Sequence, residues 1–185
     1  MLAKSQIEQA LKNGDIVIKA KHDIQGLINP NSVDLTLGRK YYRLSQGNYV
    51  DSLNGEFENR PISAELIESG TMFLANKLYI CVTNELVGSH KYTWQINDKS
   101  SAARMGISTH FNGGFGDLGF FGNITLVIVC KFDTMVYPNQ RICQVSFQLA
   151  DGIGDYAENG RYGNDFDPSV EPMPQLSKGM KIYKG

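Results

Sequence analysis

Five of the ten residues from Gly113 to Gly122 are glycine, and they surround a single carboxylate, Asp117. Glycine lets the backbone take positive φ and approach a ligand or another chain segment closely, so this stretch predicts a tight, ligand-accessible turn. Beyond it, NITLVIVC alternates as a strand does. Ile124, Leu126, Ile128 and Cys130 fall on one face, and Asn123, Thr125, Val127 and Val129 on the other. The pattern from residue 107 onward predicts a hairpin with Asp117 near its tip. Just upstream, Lys99, Ser100, Ser101 and Arg104 lie within six residues, a set of donors suited to phosphate oxygens. The stretch from Asp98 to Ile128 therefore reads as a binding cradle. Asp117 has a simpler reading as a turn-former, since aspartate is common in turns.

The rest of the composition narrows the partners. At 185 residues, with 42% apolar and 20% charged side chains, the chain suits one domain with a real core. A net charge of -1 gives no field for a nucleic-acid or membrane partner, so any anion site must be local. Cys81, Cys130 and Cys143 are widely spaced in apolar runs and read as buried free thiols. No CxxC or HxE pattern accompanies them, and His22, His90 and His110 are scattered, which excludes a zinc deaminase arrangement. There is no signal peptide and no apolar run long enough to span a bilayer, so a cytoplasmic location is expected.

Along the chain, Ser5 to Glu8 reads as a capping box opening a short amphipathic helix that stops at Gly14. DIVIK predicts a first strand, and INPNSVDLTLG a turn followed by an alternating strand. Residues 41 to 60 suit strands joined by irregular loops. FLANKLYICV, from Phe73 to Val82, predicts one buried strand, and Trp94 is expected in the core, with contact to a base as the alternative. ICQVSFQLA predicts a closing strand. Past Asp151 the composition turns to Gly, Asp, Asn, Pro and Tyr, too poor in aliphatics to build its own core. The expectation is an all-β, distorted jelly-roll domain over residues 1–150 with a short N-terminal helix, and an arm over 151–185.

Three separated segments carry a resemblance to the dCTP deaminase and dUTPase superfamily. SSAARMGI resembles the family's SSLARLGL, and DLGFFG its D-P-G-[WF]-x-G turn, with the spacing between them kept. INPNSVDLTLG at 28 to 38 resembles I-x-P-x-S-x-D-L-x-LG, and VYPNQRICQVSF at 136 to 147 resembles [IL]-x-PGM-x-I-x-Q-L-x-F. The resemblance implies the dUTPase-like fold and a homotrimer with sites shared between subunits. It also implies an arm whose Tyr156 and Arg161 close over a bound triphosphate.

In the deaminases, a glutamate ten residues beyond the Asp of D-P-G does the general acid and base work. Here that position is Val127, and no Asp or Glu occurs between Leu118 and Phe132. Triphosphate hydrolysis needs instead an aimed water, cations and usually Mg²⁺ on the phosphates. The resemblance therefore favours a dUTP diphosphatase giving dUMP and pyrophosphate. Its alternatives are a dCTP deaminase, a bifunctional enzyme, or a catalytically weak nucleotide-binding regulatory protein. Asp117 would act on the water, and Lys99, Ser100, Ser101 and Arg104 would hold phosphates. The backbone of the 113 to 127 hairpin would read the pyrimidine edge, with Asn112, Gly113, Thr125, Leu126 and Val127 against the substrate and Phe120 on the deoxyribose. Leu118 stands where the family usually has proline, Gly116 where it has an apolar residue, and Asp165 where the deaminases have a glutamine facing the nucleotide. A carboxylate there would repel a triphosphate, so Asp165 is expected to point elsewhere.

Overall fold

The computed structural model describes residues 1–44, 49–50, 52–53, 57–58, 64–110, 113–152, 154–156, 160 and 162–178. The chain opens with α1 (Lys4–Asn13), followed by β1 (Val17–Lys19), β2 (Val33–Thr36), β3 (Lys40–Arg43), β4 (Tyr49–Val50), β5 (Phe57–Glu58), β6 (Ala64–Leu66) and β7 (Thr71–Phe73). Then come β8 (Leu78–Gly88), β9 (Tyr92–Asp98), α2 (Ser100–Arg104), β10 (Ile107–Ser108), β11 (Phe115–Gly116), β12 (Phe121–Cys130), β13 (Thr134–Val136) and β14 (Arg141–Leu149). One sheet runs β10-β12-β8-β3-β6, with β1 also paired to β8. A second runs β11-β9-β14-β2, and β7 with β13 and β4 with β5 form two small ribbons. This is the all-β architecture expected, with one short helix at the N-terminus. Among the described residues no helix is long and apolar enough to cross a membrane.

The alternation of β12 holds: Leu126, Ile128 and Cys130 are fully buried, while Thr125, Val127 and Val129 are half-buried on the other face. Leu126 and Ile128 join Phe147, Val145, Ile96 and Leu35 in the core cluster. The three cysteines are buried and free, and burial pushes each thiol up from its ordinary value.

Three local expectations are corrected. The helix begins two residues earlier than the Ser5 to Glu8 box implies. Ala3 is the N-cap, and the Gln6 side chain accepts the Ala3 N–H at 2.9 Å, so Ser5 sits inside the first turn. The stop at Gly14 is as read, with φ 78. Second, FLANKLYICV is not one strand. β7 ends at Phe73, Asn76 turns the chain with φ 57, and β8 starts at Leu78. The polar pair Asn76-Lys77 within the run marks this turn, and in β7 only Phe73 is buried. Third, the polar side of β2 does not face water: Asp34 and Thr36 are as buried as Val33 and Leu35, because each finds charged or hydrogen-bonding partners inside.

β8 and β12 pair with an irregularity. Asn123 faces Leu86 and Thr125 faces Val82, which leaves Thr83, Asn84 and Glu85 opposite Ile124 alone. The freed backbone is satisfied by side chains. Asn123 Nδ2 donates to the Thr83 and Asn84 carbonyls at 3.1 Å each, and the Ile124 N–H donates to Thr83 Oγ1 at 2.9 Å.

Candidate functional site

The segments 28 to 38, 98 to 104 and 136 to 147, far apart in sequence, meet because β14 lies between β2 and β9. Their meeting point is Asp34, which is 1% exposed. Its Oδ1 accepts Asn29 Nδ2 at 2.8 Å and holds Lys99 Nζ at 2.6 Å, and Arg141 Nη1 lies 3.6 Å from Oδ2. A carboxylate this buried is tolerated only because it is paired and hydrogen-bonded. Gln144 ties the same corner: Ser32 Oγ donates to its Oε1 at 2.8 Å, and its Nε2 donates to the Asp98 carbonyl at 3.2 Å. Lys99 is thus engaged by Asp34 and caps α2. Ser100, Ser101 and Arg104 are exposed, and Arg104 Nη1 donates to the Ser100 carbonyl at 3.0 Å. Asp34, Arg141 and Gln144 were missed as site residues. The signal was present as polar side chains inside the strand-like runs VDLTL and RICQVSF.

At the hairpin tip, β11 pairs with β9, setting Gly116 opposite Trp94. A Cβ on Gly116 would lie 1.9 Å from Trp94 Cε2, so the indole fills the space a side chain would need. Trp94 is 5% exposed, in the core as expected, and its buried Nε1 has no hydrogen-bond partner. Gly119, with φ 80, donates its N–H to the Ser89 carbonyl at 2.8 Å and closes the turn after Asp117. Phe120 lies between two rings, edge-to-face with Trp94 at 5.4 Å and with Tyr156 at 5.3 Å. Tyr156 also donates its N–H to the Leu118 carbonyl at 2.7 Å. Proline and leucine offer the same carbonyl, so the departure at 118 leaves this contact intact. Asp117 and Asp155 line one cavity of about 450 Å³ with Thr93, Leu118, Tyr156 and Gly160.

On β12, Thr125 Oγ1 accepts the Gln175 N–H at 2.9 Å, so the arm lies over the polar face. Val127 is bridged to His110, whose Nδ1 is 3.4 Å from Asp98 Oδ1. The Leu126 side chain is fully buried in the core, which leaves its backbone for the expected contact with a base. A Cβ at Gly113 would meet nothing within 4 Å, so that position is open. Asn112 and Arg161 lie outside the described residues.

The cradle and the tip sit at opposite ends of β9. Gly116 pairs with Trp94, whereas α2 follows Asp98 four residues on, so the two regions are roughly 13 Å apart along the strand at about 3.3 Å per residue. None of Lys99, Ser100, Ser101 or Arg104 lines the Asp117 cavity.

A second cavity, also about 450 Å³, was not foreseen. Lys21, His22 and Arg39 line it from the body, and Asp165, Asp167 and Glu171 from the arm. Asp165 faces this seam and also lines a smaller cavity with Gly119, Phe121 and Tyr156. Hydrogen bonds from Ser169 hold the Asp167 carboxyl below its ordinary value, and the charge of Lys21 adds to them. Beneath His22, the fully buried Glu85 accepts the Thr36 N–H at 2.8 Å and Thr36 Oγ1 at 2.6 Å, and it sits 3.0 Å from His22 Nε2. Burial pushes its carboxyl up, against the hydrogen bonds from Thr36 and the charge of His22.

A family model described as dCTP deaminase-like matches residues 1–150. A protein of Clostridium botulinum (strain Alaska E43 / Type E3) named "dCTP deaminase, dUMP-forming" is 36% identical over 138 residues, covering 75% of this chain and 78% of its own. One of the same name from Clostridium beijerinckii is 34% identical over 159 residues, covering 85% and 89%. Among solved structures, the 2'-deoxycytidine 5'-triphosphate deaminase of Agrobacterium tumefaciens superposes with a TM-score of 0.63 at 21% identity over 85% of this chain. That match spans half of the neighbour's length and shows the shared fold. The dUTP diphosphatase expected from the sequence is overturned here, because these relatives are named for deaminating dCTP.

Proposed function

Because the chain belongs to the dCTP deaminase-like family, we propose that it binds a pyrimidine deoxynucleoside triphosphate and converts dCTP to dUMP. The observation that carries this is the convergence of Lys99 and Arg141 on buried Asp34, beneath the exposed hydroxyls and guanidinium of Ser100, Ser101 and Arg104. It is a rigid cationic seat built by three segments, and a triphosphate suits it. Forming dUMP from dCTP releases both ammonia and pyrophosphate. In the second step Asp117 would accept a proton from the water that attacks phosphorus. Mg²⁺ would arrive on the triphosphate and offset its charge. The buried free thiols suit a reducing compartment such as the cytoplasm.

A site of this kind needs more than one copy. None of Lys99, Ser100, Ser101 or Arg104 lines the Asp117 cavity, and the resemblance implies sites shared between subunits, so a second copy would bring its tip to the first copy's seat. We expect a homotrimer, with light scattering giving three times 20.6 kDa. A fully active monomer defeats this.

A second reading rests on Val127, half-buried and apolar where the resemblance puts the deaminase glutamate. On that reading the protein binds nucleotide and turns it over weakly or not at all. Incubation with dCTP and Mg²⁺, with ammonia and pyrophosphate assayed separately, separates the two. Both products are expected. Tight binding by calorimetry with neither product favours the second reading.

A further inference from the structure

Deamination at the hairpin needs a group that carries a proton, and the hairpin offers few. Between Gly106 and Val129 the titratable side chains are His110 and Asp117 alone. Asp117 sits at the tip, in the cavity it shares with Asp155 and Tyr156. His110 is the bridge partner of Val127, on the strand face that also carries Thr125. Its side chain is one-quarter exposed, and Nδ1 is buried 3.4 Å from Asp98 Oδ1. That contact is too long to be a full hydrogen bond, and the same oxygen already accepts the Thr109 N–H at 2.7 Å and Thr109 Oγ1 at 2.6 Å. It nevertheless fixes which nitrogen faces the carboxylate. Nε2 lies on the other side of the ring, toward Gly114. A Cβ on Gly114 would stand 3.4 Å from that Nε2 and 2.8 Å from Cδ2, and one on Gly113 would meet nothing. Among the described residues, Gly114 passes the imidazole with no side chain of its own in the way.

We propose that His110, oriented by Asp98, is the proton carrier for deamination at the position beside Val127. The proposal rests on the dCTP reading above. In the step, the oxygen of a water forms a bond to C4 of the cytosine, and His110 Nε2 takes one of the water's protons. His110 delivers that proton to the exocyclic nitrogen, the C4–N bond breaks with its electron pair leaving on ammonia, and the water's second proton ends on ring N3. The base becomes uracil, and the imidazole returns to its starting state. An imidazole performs both transfers without a carboxylate at residue 127.

The test measures ammonia release from dCTP, and dCTP binding by calorimetry, for the wild type, His110→Asn, His110→Gln and Asp117→Asn. Thermal melts confirm that each variant folds, and the glutamine variant stands in if asparagine destabilises the hairpin. Expected is a loss of ammonia release of roughly 10²-fold or more in both His110 variants, with dCTP affinity within about threefold of the wild type and partial recovery on adding free imidazole. If the wild type releases ammonia and the folded His110 variants keep that rate within threefold, the proposal is overturned while the deaminase reading stands. Loss confined to Asp117→Asn moves the role to Asp117. No ammonia from the wild type overturns both.

Discussion

A methyl group on Gly116 has no room: its carbon would stand 1.9 to 2.3 Å from three atoms of the Trp94 indole. Gly116→Ala must therefore push the indole out of the core or unpair β11 from β9. We expect a stability loss of about 2 to 3 kcal/mol, the usual cost of overpacking, read as a drop in the denaturant midpoint. An unchanged midpoint would mean that Trp94 has space to move. Arg104 is a different case, because it is exposed and bonds only within α2 among the contacts seen. Arg104→Ala should leave the melt unchanged and weaken triphosphate binding by about 2 kcal/mol, or about thirtyfold, as a charge-assisted contact is lost. Equal affinity for the two proteins removes Arg104 from the seat.

At the scale of elements, the arm is fastened to β12 by an amide pair. Asn164 Oδ1 accepts the Asn123 N–H, and Asn164 Nδ2 donates to Asn123 Oδ1, each at 2.9 Å, while the Asn164 N–H reaches the Phe121 carbonyl at 3.1 Å. The same Asn123 supports the irregular pairing of β8, so one side chain serves both the sheet and the arm. Asn164→Ala removes only the arm's half of the pair. The arm should be cut by protease several times faster, with the body melting within about 1 to 2 kcal/mol of the wild type. Arm cleavage at the wild-type rate would show that the other contacts, Tyr156 with Phe120 and Gln175 with Thr125 among them, hold it without the amide pair.

Across the whole molecule, the buried Glu85 links β8 to β2 and to His22 at the arm seam. Its folded pKa is raised above the ordinary 4.5. Folding therefore favours the protonated form, and the contribution is full below pH 4.5 and is lost as pH rises through the raised folded value. Glu85→Gln imitates the protonated acid at all pH. The stability advantage of the wild type over this variant should shrink as pH rises from about 4 to 7, measured by melts in matched buffers. An advantage that grows over the same range means that Thr36 and His22 outweigh burial.

The local signals in the sequence were sufficient for the elements. The alternation of NITLVIVC fixes which side of β12 is core, Gly14 fixes where α1 ends, and the three separated motifs identify the family, because each depends on neighbours within about ten residues. What the sequence could not decide depends on pairing at long range. Asp34 and Thr36 read as solvent-facing until Lys99, Arg141 and Glu85 are brought against them from β9, β14 and β8. His110 belongs beside Val127 only because the hairpin folds in the register that bridges them, and a polar group's role is set by what the fold places opposite it.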